Sequence, residues 1–456
     1  MKIFRKVSFV LSQNEFLKQL YKRIFFRKYI ALERKTLFLL RNFEEKSIND
    51  LQIDIHTRLS EILHFAWSNS EYYREIMIQF NMSPNEVHRL SELPILTKEI
   101  IRKERNRIIS KNFSKLMMRK SNTGGSTGEP LEFYTDYNGI AIDNAHHKFI
   151  FELIGYKDND VVIDSGGIFI PEHKREQNIF WIKYPRKSLW GNYGFSALYL
   201  NRTNICYYVN KILELRPAII RGYPSFINEL AIYIIEKSIN INFKIKGINL
   251  TAEYCDNIQY DNIILAFHTQ VYFEYGQGEK TIFCWSNGHD KLLRSSPYYG
   301  YVEVIKDNGE LACKGEVGEI VATSFCNLGM PFIRYKTGDR GIVHSCNKGV
   351  VTFSEIVGRS QDYVYDIDKN KVYLTALIFG QHLNAFKNIK SWQLIQEEFG
   401  KLKLNIVRGL NYSIEDENEM KSVIEKAAKV KTEIYYVDNV NVSQTGKKLF
   451  LIQKIK

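Results

Sequence analysis

The chain has 456 residues, of which 45% are hydrophobic and 25% are charged, and its formal net charge is +12. This ordinary globular composition excludes a collagen-like, an intrinsically disordered and a disulfide-scaffolded protein, and the length allows two or three domains. No hydrophobic run approaches the ~18 residues of a membrane span, and charges interrupt the apolar stretches near the N-terminus. We therefore expect neither a transmembrane helix nor a signal peptide, and we expect a cytoplasmic protein.

The N-terminal segment is the most basic part of the chain. Residues 1–41 contain eleven basic and two acidic residues, so they carry +9 of the net charge and the remaining chain carries +3. Leu17, Leu20, Tyr21 and Ile24 follow helical spacing. The favoured interpretation is a helix that packs its apolar stripe on the body of the protein; the alternative is a peripheral contact with the anionic inner face of the membrane. We do not predict nucleic-acid binding, because no nucleic-acid-binding motif accompanies this local charge excess.

Elements along the chain predict an α/β protein. Residues 14–120 are mainly helical, with breaks at Pro84 and Pro94. Between residues 121 and 350, short strand-like segments alternate with helical ones, which is typical of α/β layers. These segments are Val161–Ile163, Ala218–Ile220, Gly247–Leu250, Val271–Glu274 and Tyr301–Ile305.

The chain changes character after Gly358, where strands and one or two helices predict a small α+β domain. We expect three parts: a basic amphipathic segment at 1–45, a large domain at 46–358 and a small C-terminal domain at 359–456. The predicted elements of the small domain are strands at Tyr363–Tyr365, Trp392–Gln396, Leu402–Val407 and Thr432–Val437, and a helix near Glu415–Lys429.

The six cysteines are widely spaced and include no Cys-x-x-Cys pair. We expect reduced thiols rather than a disulfide framework or a zinc ribbon. A metal site in the late part of the chain is the weaker alternative, because its members lack the close pairs that are usual in zinc sites. Those members are Cys313, Cys326, His344 and Cys346.

A loop rich in glycine and hydroxyl residues follows Ser121. Glycines let the backbone come close to a ligand, and successive amides and hydroxyls can surround an anion. The loop is not a Walker motif, because the GxxxxGK[ST] spacing and its lysine are missing. A flexible turn before a strand is the alternative. The candidate phosphate-binding residues are Thr123, Gly124, Gly125, Ser126, Thr127 and Gly128.

Four further motifs follow this loop in order: Glu274-Tyr275-Gly276-Gln277-Gly278-Glu279, Arg334–Gly341, Gly358–Asp362 and Thr445–Lys448. Together the five resemble the signature motifs of the acyl-adenylate-forming superfamily, which includes acyl-CoA synthetases, luciferases and peptide-synthetase adenylation domains. The nearest resemblance is to phenylacetate-CoA ligase and its relatives in capsule and other surface-polysaccharide clusters. It extends from about residue 60 to the C-terminus, and it implies a large N-terminal domain of layered sheets and helices with a small mobile C-terminal lid.

The resemblance implies an ATP-dependent ligase that joins a carboxylic acid to AMP and releases pyrophosphate. The acyl group would then pass to CoA, or to an amine or hydroxyl acceptor such as a sugar precursor in surface-polysaccharide biosynthesis. Both reactants of the first step are anions, so the protein must align them and supply positive charge. The alternative is a non-catalytic descendant that only binds nucleotide or a membrane partner.

The resemblance also assigns roles in nucleotide binding. The loop 123–128 would hold the phosphates of ATP, and Tyr275 with Gly276 would lie against the adenine. Glu253 would lie at the other strand end beside the adenine. Asp339 would accept hydrogen bonds from both ribose hydroxyls, which a carboxylate can do.

The remaining roles concern charge and movement. Arg359 would add a ribose or phosphate contact, and Glu279 would hold Mg²⁺, for which a carboxylate is suited. Lys447 would be the catalytic lysine that reaches the α-phosphate, with Lys448 as the alternative. Gln361 would be the hinge of the lid.

Two features leave the substrates open. Where CoA-using members usually carry a glycine-containing loop, this chain has a polar hairpin-like turn at Asp366–Lys371, so CoA is only one candidate acceptor. Aromatic residues stand where the family builds its acyl pocket, but each is better interpreted as core. They are Phe149, Phe151, Phe169, Trp181, Trp190, Tyr193 and Phe195.

The non-functional alternative for each of the two acidic site residues is a surface ion pair with the next residue along the chain. Asp339 precedes Arg340, and Glu279 precedes Lys280. Isolated pairs of this kind contribute little and carry no function. The ordered set of motifs favours the functional interpretation.

Overall fold

A computed structural model of the chain describes residues 15–113, 118–122, 131–188, 191–347, 349–359, 363–373, 385, 388–442 and 449–455. Its N-terminal part is helical, as predicted. Side chains of Ser47, Ser70 and Thr97 accept hydrogen bonds from backbone amides at the starts of three of the helices, which stabilises helix N-termini. The helices are α1 (Glu15–Arg41), α2 (Ile48–Asn69), α3 (Glu71–Gln79), a 3-10 helix (Val87–Glu92) and α4 (Lys98–Ile108).

The C-terminal half of α1 packs on helix α5 (Tyr137–Leu153). The rings of Tyr29 and Tyr137 are 5.4 Å apart, and Arg41 Nε donates to Glu152 Oε2 at 2.7 Å. The packed interpretation of the N-terminal segment therefore holds for this half of the helix. Its outer face is basic with two apolar side chains, and a membrane contact through this face stays a prediction. The exposed residues include Arg27, Lys28, Ile30, Arg34, Lys35 and Phe38.

A sheet of 12 strands forms the centre of the large domain, and its middle strands are parallel. In the order β5-β3-β6-β7-β8 these are Gly191–Ser196, Val162–Gly166, Ile219–Gly222, Gly247–Thr251 and Val271–Gly276. Helix α5 covers one face, on which Val162 and Ile219 point into the apolar core. The opposite face packs through Ile163 and Ile220 against α7 (Ile205–Leu215), α8 (Pro224–Glu236) and α9 (Asn257–Phe267).

The other strands of this sheet are antiparallel. On the β8 side they are β9 (Phe283–Trp285), β10 (Leu293–Ser295), β14 (Val350–Arg359), β13 (Tyr335–Asn347), β12 (Val317–Ser324) and β11 (Gly300–Ile305), and β4 (Trp181–Ser188) lies at the opposite edge. A short helix, α6 (Glu172–Glu176), precedes β4, and β1 (Met118–Asn122) pairs with β2 (Glu132–Asp136) as a separate hairpin. These layers confirm the predicted α/β fold class.

The C-terminal part has its own sheets and its own core. Strands β15 (Tyr363–Tyr365) and β16 (Lys371–Tyr373) form the predicted hairpin. Helix α10 (Ile414–Ala428) packs through Met420 and Ile424 on buried strand residues such as Leu404. The division at 45/46 and 358/359 stays a prediction. The four-stranded sheet has the order β19 (Lys431–Tyr436), β18 (Lys401–Arg408), β17 (Ile389–Glu398) and β20 (Leu451–Gln453).

Membrane-spanning helices and metal sites are the subject of two further expectations. None of the described helices has the length and apolarity to span a bilayer. Within the same residues, no three His, Cys, Asp or Glu side chains are placed to hold one metal ion. Cys313 and Cys346 are exposed whereas Cys326 is buried, so the alternative of a late cysteine metal site is wrong for the residues described.

Candidate active site

Tyr275 and Asp339 meet where β8 ends beside β13. The hydroxyl of Tyr275 donates to Asp339 Oδ2 at 2.7 Å. Gln277 Nε2 donates to the same oxygen at 2.9 Å and to the Tyr275 hydroxyl at 3.1 Å, while Thr281 Oγ1 donates to Gln277 Oε1 at 3.1 Å. This chain of bonds fixes an aromatic ring and a carboxylate side by side at the end of a parallel strand.

The electrostatics of this pair keep Tyr275 protonated. Burial, together with the neighbouring Asp339 carboxylate, raises the pKa of Tyr275 well above its usual value. The phenol therefore stays a hydrogen-bond donor to Asp339 at all physiological pH values. A carboxylate can accept about four hydrogen bonds, and the bonds from Tyr275 and Gln277 both use Oδ2 of Asp339.

Glu279 lies buried a short distance along the same loop. Tyr335, the first residue of β13, donates its hydroxyl to Glu279 Oε1 at 2.8 Å. Burial raises the pKa of Glu279, against the lowering effect of this hydrogen bond. A desolvated carboxylate gains strongly from a nearby cation, and Mg²⁺ is commonly held by one or two carboxylates with substrate phosphates as further ligands. The residue therefore fits the Mg²⁺ role, in which it would supply one carboxylate ligand.

The predicted phosphate loop, 123–128, lies outside the described residues, but the hairpin that carries it is described. Asn122 of β1 is paired with Glu132 of β2, so the two strands enclose the loop. Phe133 of β2 is fully buried, and a Cβ added to Gly278 would lie 3.4 Å from its ring. Strand β2 of this hairpin thus lies beside the segment that joins Tyr275 to Glu279.

Glu253 holds a helix terminus. It follows β7, after Ala252 with a positive φ of 68°, and its Oε2 accepts a hydrogen bond from the backbone amide of Ser225 at 3.0 Å. Ser225 lies in the first turn of α8, directly after Pro224. A carboxylate is favourable at the positive end of a helix. The structure therefore shows a positioning contact for Glu253, and its contact with adenine stays a prediction.

The other predicted site residues are described in part or not at all. The backbone of Arg359, at the end of β14, is in register with Asp339 on β13, and Gly276 lies exposed at the end of β8. The backbones of Arg359 and Asp339 are therefore neighbours on the adjacent strands β14 and β13. Gln361 and Lys447 lie outside the described residues, so their roles stay predictions.

The cations that follow the two site carboxylates form ion pairs with other residues. Arg340 pairs with Asp307 at 2.7 Å, and Lys280 pairs with Asp143 of α5 at 2.6 Å. Lys280 also has a positive φ of 59°. These contacts show that each cation has a carboxylate partner other than the residue that precedes it.

Sequence reasoning missed the residues that hold the site. Gln277 and Tyr335 both lie within the quoted motifs, but only their contacts show that they position Asp339 and Glu279. The contacts of a buried ion network at the carboxyl ends of the parallel strands were missed, although two of its members, Arg221 and Glu274, stand in motifs that resemble those of the family. Its signal in the sequence is a charged or amide residue near the end of each of four hydrophobic strands: Asp164, Arg221, Asn249 and Glu274.

Known proteins resemble this chain in both sequence and fold. Residues 365–454 match the CapK C-terminal domain. Protein CapK of Staphylococcus aureus is 26% identical over 480 aligned residues, which cover 100% of this chain and 98% of that protein.

Solved structures of similar fold include a 2-hydroxyisobutyryl-CoA ligase in the postadenylation state in complex with R3-HIB-AMP. It has a TM-score of 0.63 at 16% identity and covers 88% of this chain and 89% of its own. The same ligase in the thioesterification state, in complex with 2-HIB-AMP and CoA, has a TM-score of 0.53 at 16% identity and 90% coverage of both chains. The resemblance predicted from the motifs is confirmed: the chain has the fold of the AMP-forming acyl-CoA ligases, with a separate CapK-type C-terminal domain.

Proposed function

We propose that the protein is an ATP-dependent ligase that activates a carboxylic acid as acyl-AMP with release of pyrophosphate. The observation that supports this most directly is the convergence of Tyr275, Gln277, Asp339 and Glu279 at the end of β8. An aromatic ring, a ribose-binding carboxylate and a buried cation-binding carboxylate are what a nucleotide triphosphate with its metal requires. The ordered motifs assign the same residues to the same ligand.

Each residue would make a different contact with ATP. Tyr275 stacks on the adenine, and Asp339 accepts from the ribose hydroxyls while Gln277 keeps its carboxylate in place. The loop 123–128 holds the phosphates with amide and hydroxyl donors, and Arg359 adds a charged contact. Mg²⁺ at Glu279 would neutralise charge on the phosphates of ATP.

The attack of the substrate carboxylate on the α-phosphorus forms an acyl–phosphate bond and breaks the bond to pyrophosphate. We propose that Lys447 supplies the positive charge that this step needs. The C-terminal domain would carry it to the site by a rotation about Gln361, since a few backbone dihedrals are sufficient for such a hinge.

The second step passes the acyl group to CoA, or to an amine or hydroxyl acceptor. The name of the 2-hydroxyisobutyryl-CoA ligase favours CoA, whereas the similarity to protein CapK favours an acceptor in capsule or other surface-polysaccharide biosynthesis. The β15–β16 hairpin supports the second group, because it replaces the glycine-containing loop that is usual in CoA-using members.

A carboxylate-dependent exchange of labelled pyrophosphate into ATP tests the proposal. We expect exchange with at least one acid from a panel of carboxylic and amino acids, and a loss of 10²-fold or more for Glu279→Gln, by analogy with other single electrostatic contacts to a transition state. Glu104→Gln is the control for a largely buried glutamate away from the site, since Glu104 pairs with Arg107 on α4 at 2.8 Å. ATP binding without exchange for any acid would favour the non-catalytic descendant.

A further inference from the structure

Helix α1 has one side packed on the protein and one side that faces outward. The packed side contains Tyr29, Thr36 and Leu40, which are buried. The exposed residues of the outer face recur at intervals of three and four positions, so they form a single stripe along the helix. The residues of this stripe are Arg27, Ala31, Arg34, Phe38 and Arg41.

The outer face carries positive charge without acidic partners. Within residues 27–41 the only acidic residue is Glu33, and it pairs with Lys148 of α5. The acid is therefore directed to the packed side, where its charge is neutralised. The cations of the outer face that have no carboxylate partner among the described residues are Arg27, Arg34 and Lys35.

Two large apolar side chains lie among these cations. The side chains of Ile30 and Phe38 are 47% and 64% exposed, and about two helical turns separate them. A single exposed apolar residue is normal on a protein surface. An aromatic and an aliphatic residue on a face of arginine and lysine have instead the composition of helices that lie in the interface of a bilayer.

Charge and composition together favour one occupant of this face. A second copy of the chain would bring the same positive face and would be repelled. A nucleic acid would neutralise the cations but would leave Ile30 and Phe38 without an apolar partner. An anionic bilayer satisfies both groups, because lipid phosphates pair with the cations while the apolar side chains enter the boundary between headgroups and acyl chains.

The outer face is attached rigidly to the large domain. Tyr29 contacts Tyr137 at the start of α5, and Arg41 bonds to Glu152 near its end, so the two helices run in the same direction. Just after α1, the ring of Phe43 is buried and lies 5.7 Å from a tryptophan ring of β9. Binding through this face would therefore hold the whole domain at a surface, rather than a tethered tail.

The direction of α5 sets the orientation of the candidate active site on such a surface. His147 of α5 lies 3.3 Å from Glu274 near the end of β8, whereas a Cβ added to Gly247 at the start of β7 would lie 2.8 Å from Ile154, directly after α5. Helix α5 therefore runs opposite to the parallel strands. With α1 flat on a bilayer, the strands run along the surface and the site at their carboxyl ends opens parallel to it.

We infer that the outer face of α1 docks the protein on an anionic lipid bilayer, with its cations at the lipid phosphates and with Ile30 and Phe38 in the interface. The inference goes beyond the proposed function and does not depend on it, because none of these residues belongs to the candidate active site.

Sedimentation of the full-length protein with vesicles tests the inference. We expect binding to vesicles of equal parts phosphatidylglycerol and phosphatidylcholine, and much weaker binding to phosphatidylcholine alone. Binding should fall when NaCl is raised from about 0.1 M to about 0.5 M, because salt screens the attraction. The double variant Arg34→Glu/Lys35→Glu should bind at least ~30-fold more weakly, at roughly fivefold for each cation near an anionic surface.

A second double variant is the matched control for net charge. Lys314→Glu/Lys421→Glu changes the net charge by the same amount at two exposed lysines outside α1. Its binding should stay within about threefold of the unaltered protein, because charges farther from the surface than the Debye length are screened. Unfolding in urea checks that both double variants are folded.

A tryptophan probe measures whether the apolar residues enter the interface. The fluorescence of Phe38→Trp, after subtraction of the unaltered protein, should shift to shorter wavelengths when anionic vesicles are added. Leu410→Trp is the control, since Leu410 is 88% exposed in the turn after β18, and its emission should not shift. The Phe38→Trp probe carries the test if Arg34→Glu/Lys35→Glu does not fold.

Four results would overturn the inference. Equal sedimentation with neutral vesicles, or none with either kind, would exclude docking on anionic lipid. An equal loss in both double variants would show that net charge alone causes binding. An unshifted emission of Phe38→Trp would exclude insertion. Tighter binding to DNA of unrelated sequence than to anionic vesicles at the same salt concentration would make a nucleic acid the occupant of the face.

Discussion

Replacing Asp339 with alanine is the sharpest test of the nucleotide site. In the structure Asp339 Oδ2 accepts two hydrogen bonds, from Tyr275 at 2.7 Å and from Gln277 at 2.9 Å. The alanine variant removes this acceptor and the proposed partner of the ribose hydroxyls. A hydrogen bond to a charged group contributes about 1.5–3 kcal/mol, so each ribose bond that is lost should weaken ATP binding by roughly 10- to 150-fold.

Calorimetric titration of ATP and of AMP measures this effect. Both ligands should lose affinity by a similar factor, because the ribose is common to them. Unfolding in urea should show a loss of about 1–3 kcal/mol, since the donors of Tyr275 and Gln277 lose their shared acceptor. The Asp307→Ala variant is the matched control: Asp307 pairs with Arg340 and its side chain is 74% exposed.

Two results would refute the reasoning. Unchanged affinity of Asp339→Ala for both nucleotides would remove this carboxylate from the site. An equal loss of affinity in Asp307→Ala would show that disturbance of β13, rather than a ribose contact, weakens binding.

Three other predictions follow from the sequence motifs and the structure. Lys447→Ala should slow acyl-AMP formation by 10²-fold or more, on the order of 3 kcal/mol, while acyl transfer from supplied acyl-AMP stays nearly unchanged. Lys448→Ala is the control and should leave both steps nearly unchanged. An equal effect of Lys447→Ala on both steps would contradict its role. Phe38→Ser should weaken sedimentation of the protein with anionic vesicles without changing the free energy of unfolding, since the Phe38 side chain is 64% exposed. Equal sedimentation of the unaltered protein with neutral vesicles, or no sedimentation with either kind of vesicle, would refute a contact with anionic lipid through this face. Burial lowers the pKa of His146 to about 4 from 6.5, so its neutral form is stabilising above pH 6.5 and this contribution is lost as the pH falls toward 4. The free energy of unfolding should fall by about 3 kcal/mol over that window and less steeply in His146→Gln; identical slopes would show that another group causes the loss.

The ordered motifs are sufficient to select the residues of the proposed nucleotide site. Tyr275, Glu279 and Asp339 were chosen from ordered motifs, and the structure brings their segments together at the end of β8. Strand positions were also predictable, because runs of β-branched residues mark buried parallel strands whatever their neighbours are. The hairpin at Asp366–Lys371 followed from its polar turn residues for the same local reason.

The partners of charged residues could not be predicted in this way. Arg340 and Lys280 follow the site carboxylates in sequence, yet they pair with Asp307 and Asp143. Asp339 and Arg340 are successive residues of β13, and successive side chains of a strand point to opposite faces. Glu279 and Lys280 lie in the turn after β8, where Lys280 has a positive φ of 59°. Glu253 was assigned to adenine from its motif, whereas the fold shows it at the start of α8.

Sequence alone therefore determined the class of fold, the order of its elements and the motifs of the proposed nucleotide site, since these depend on local patterns of side chains. Tertiary structure alone decided what the motifs touch. Asp164, Arg221, Asn249 and Glu274 come from four strands spread over 111 positions of the chain, and only the parallel register makes them neighbours. A contact between side chains distant in sequence is set by strand order and pairing, and that information is stored in the packing of the whole sheet.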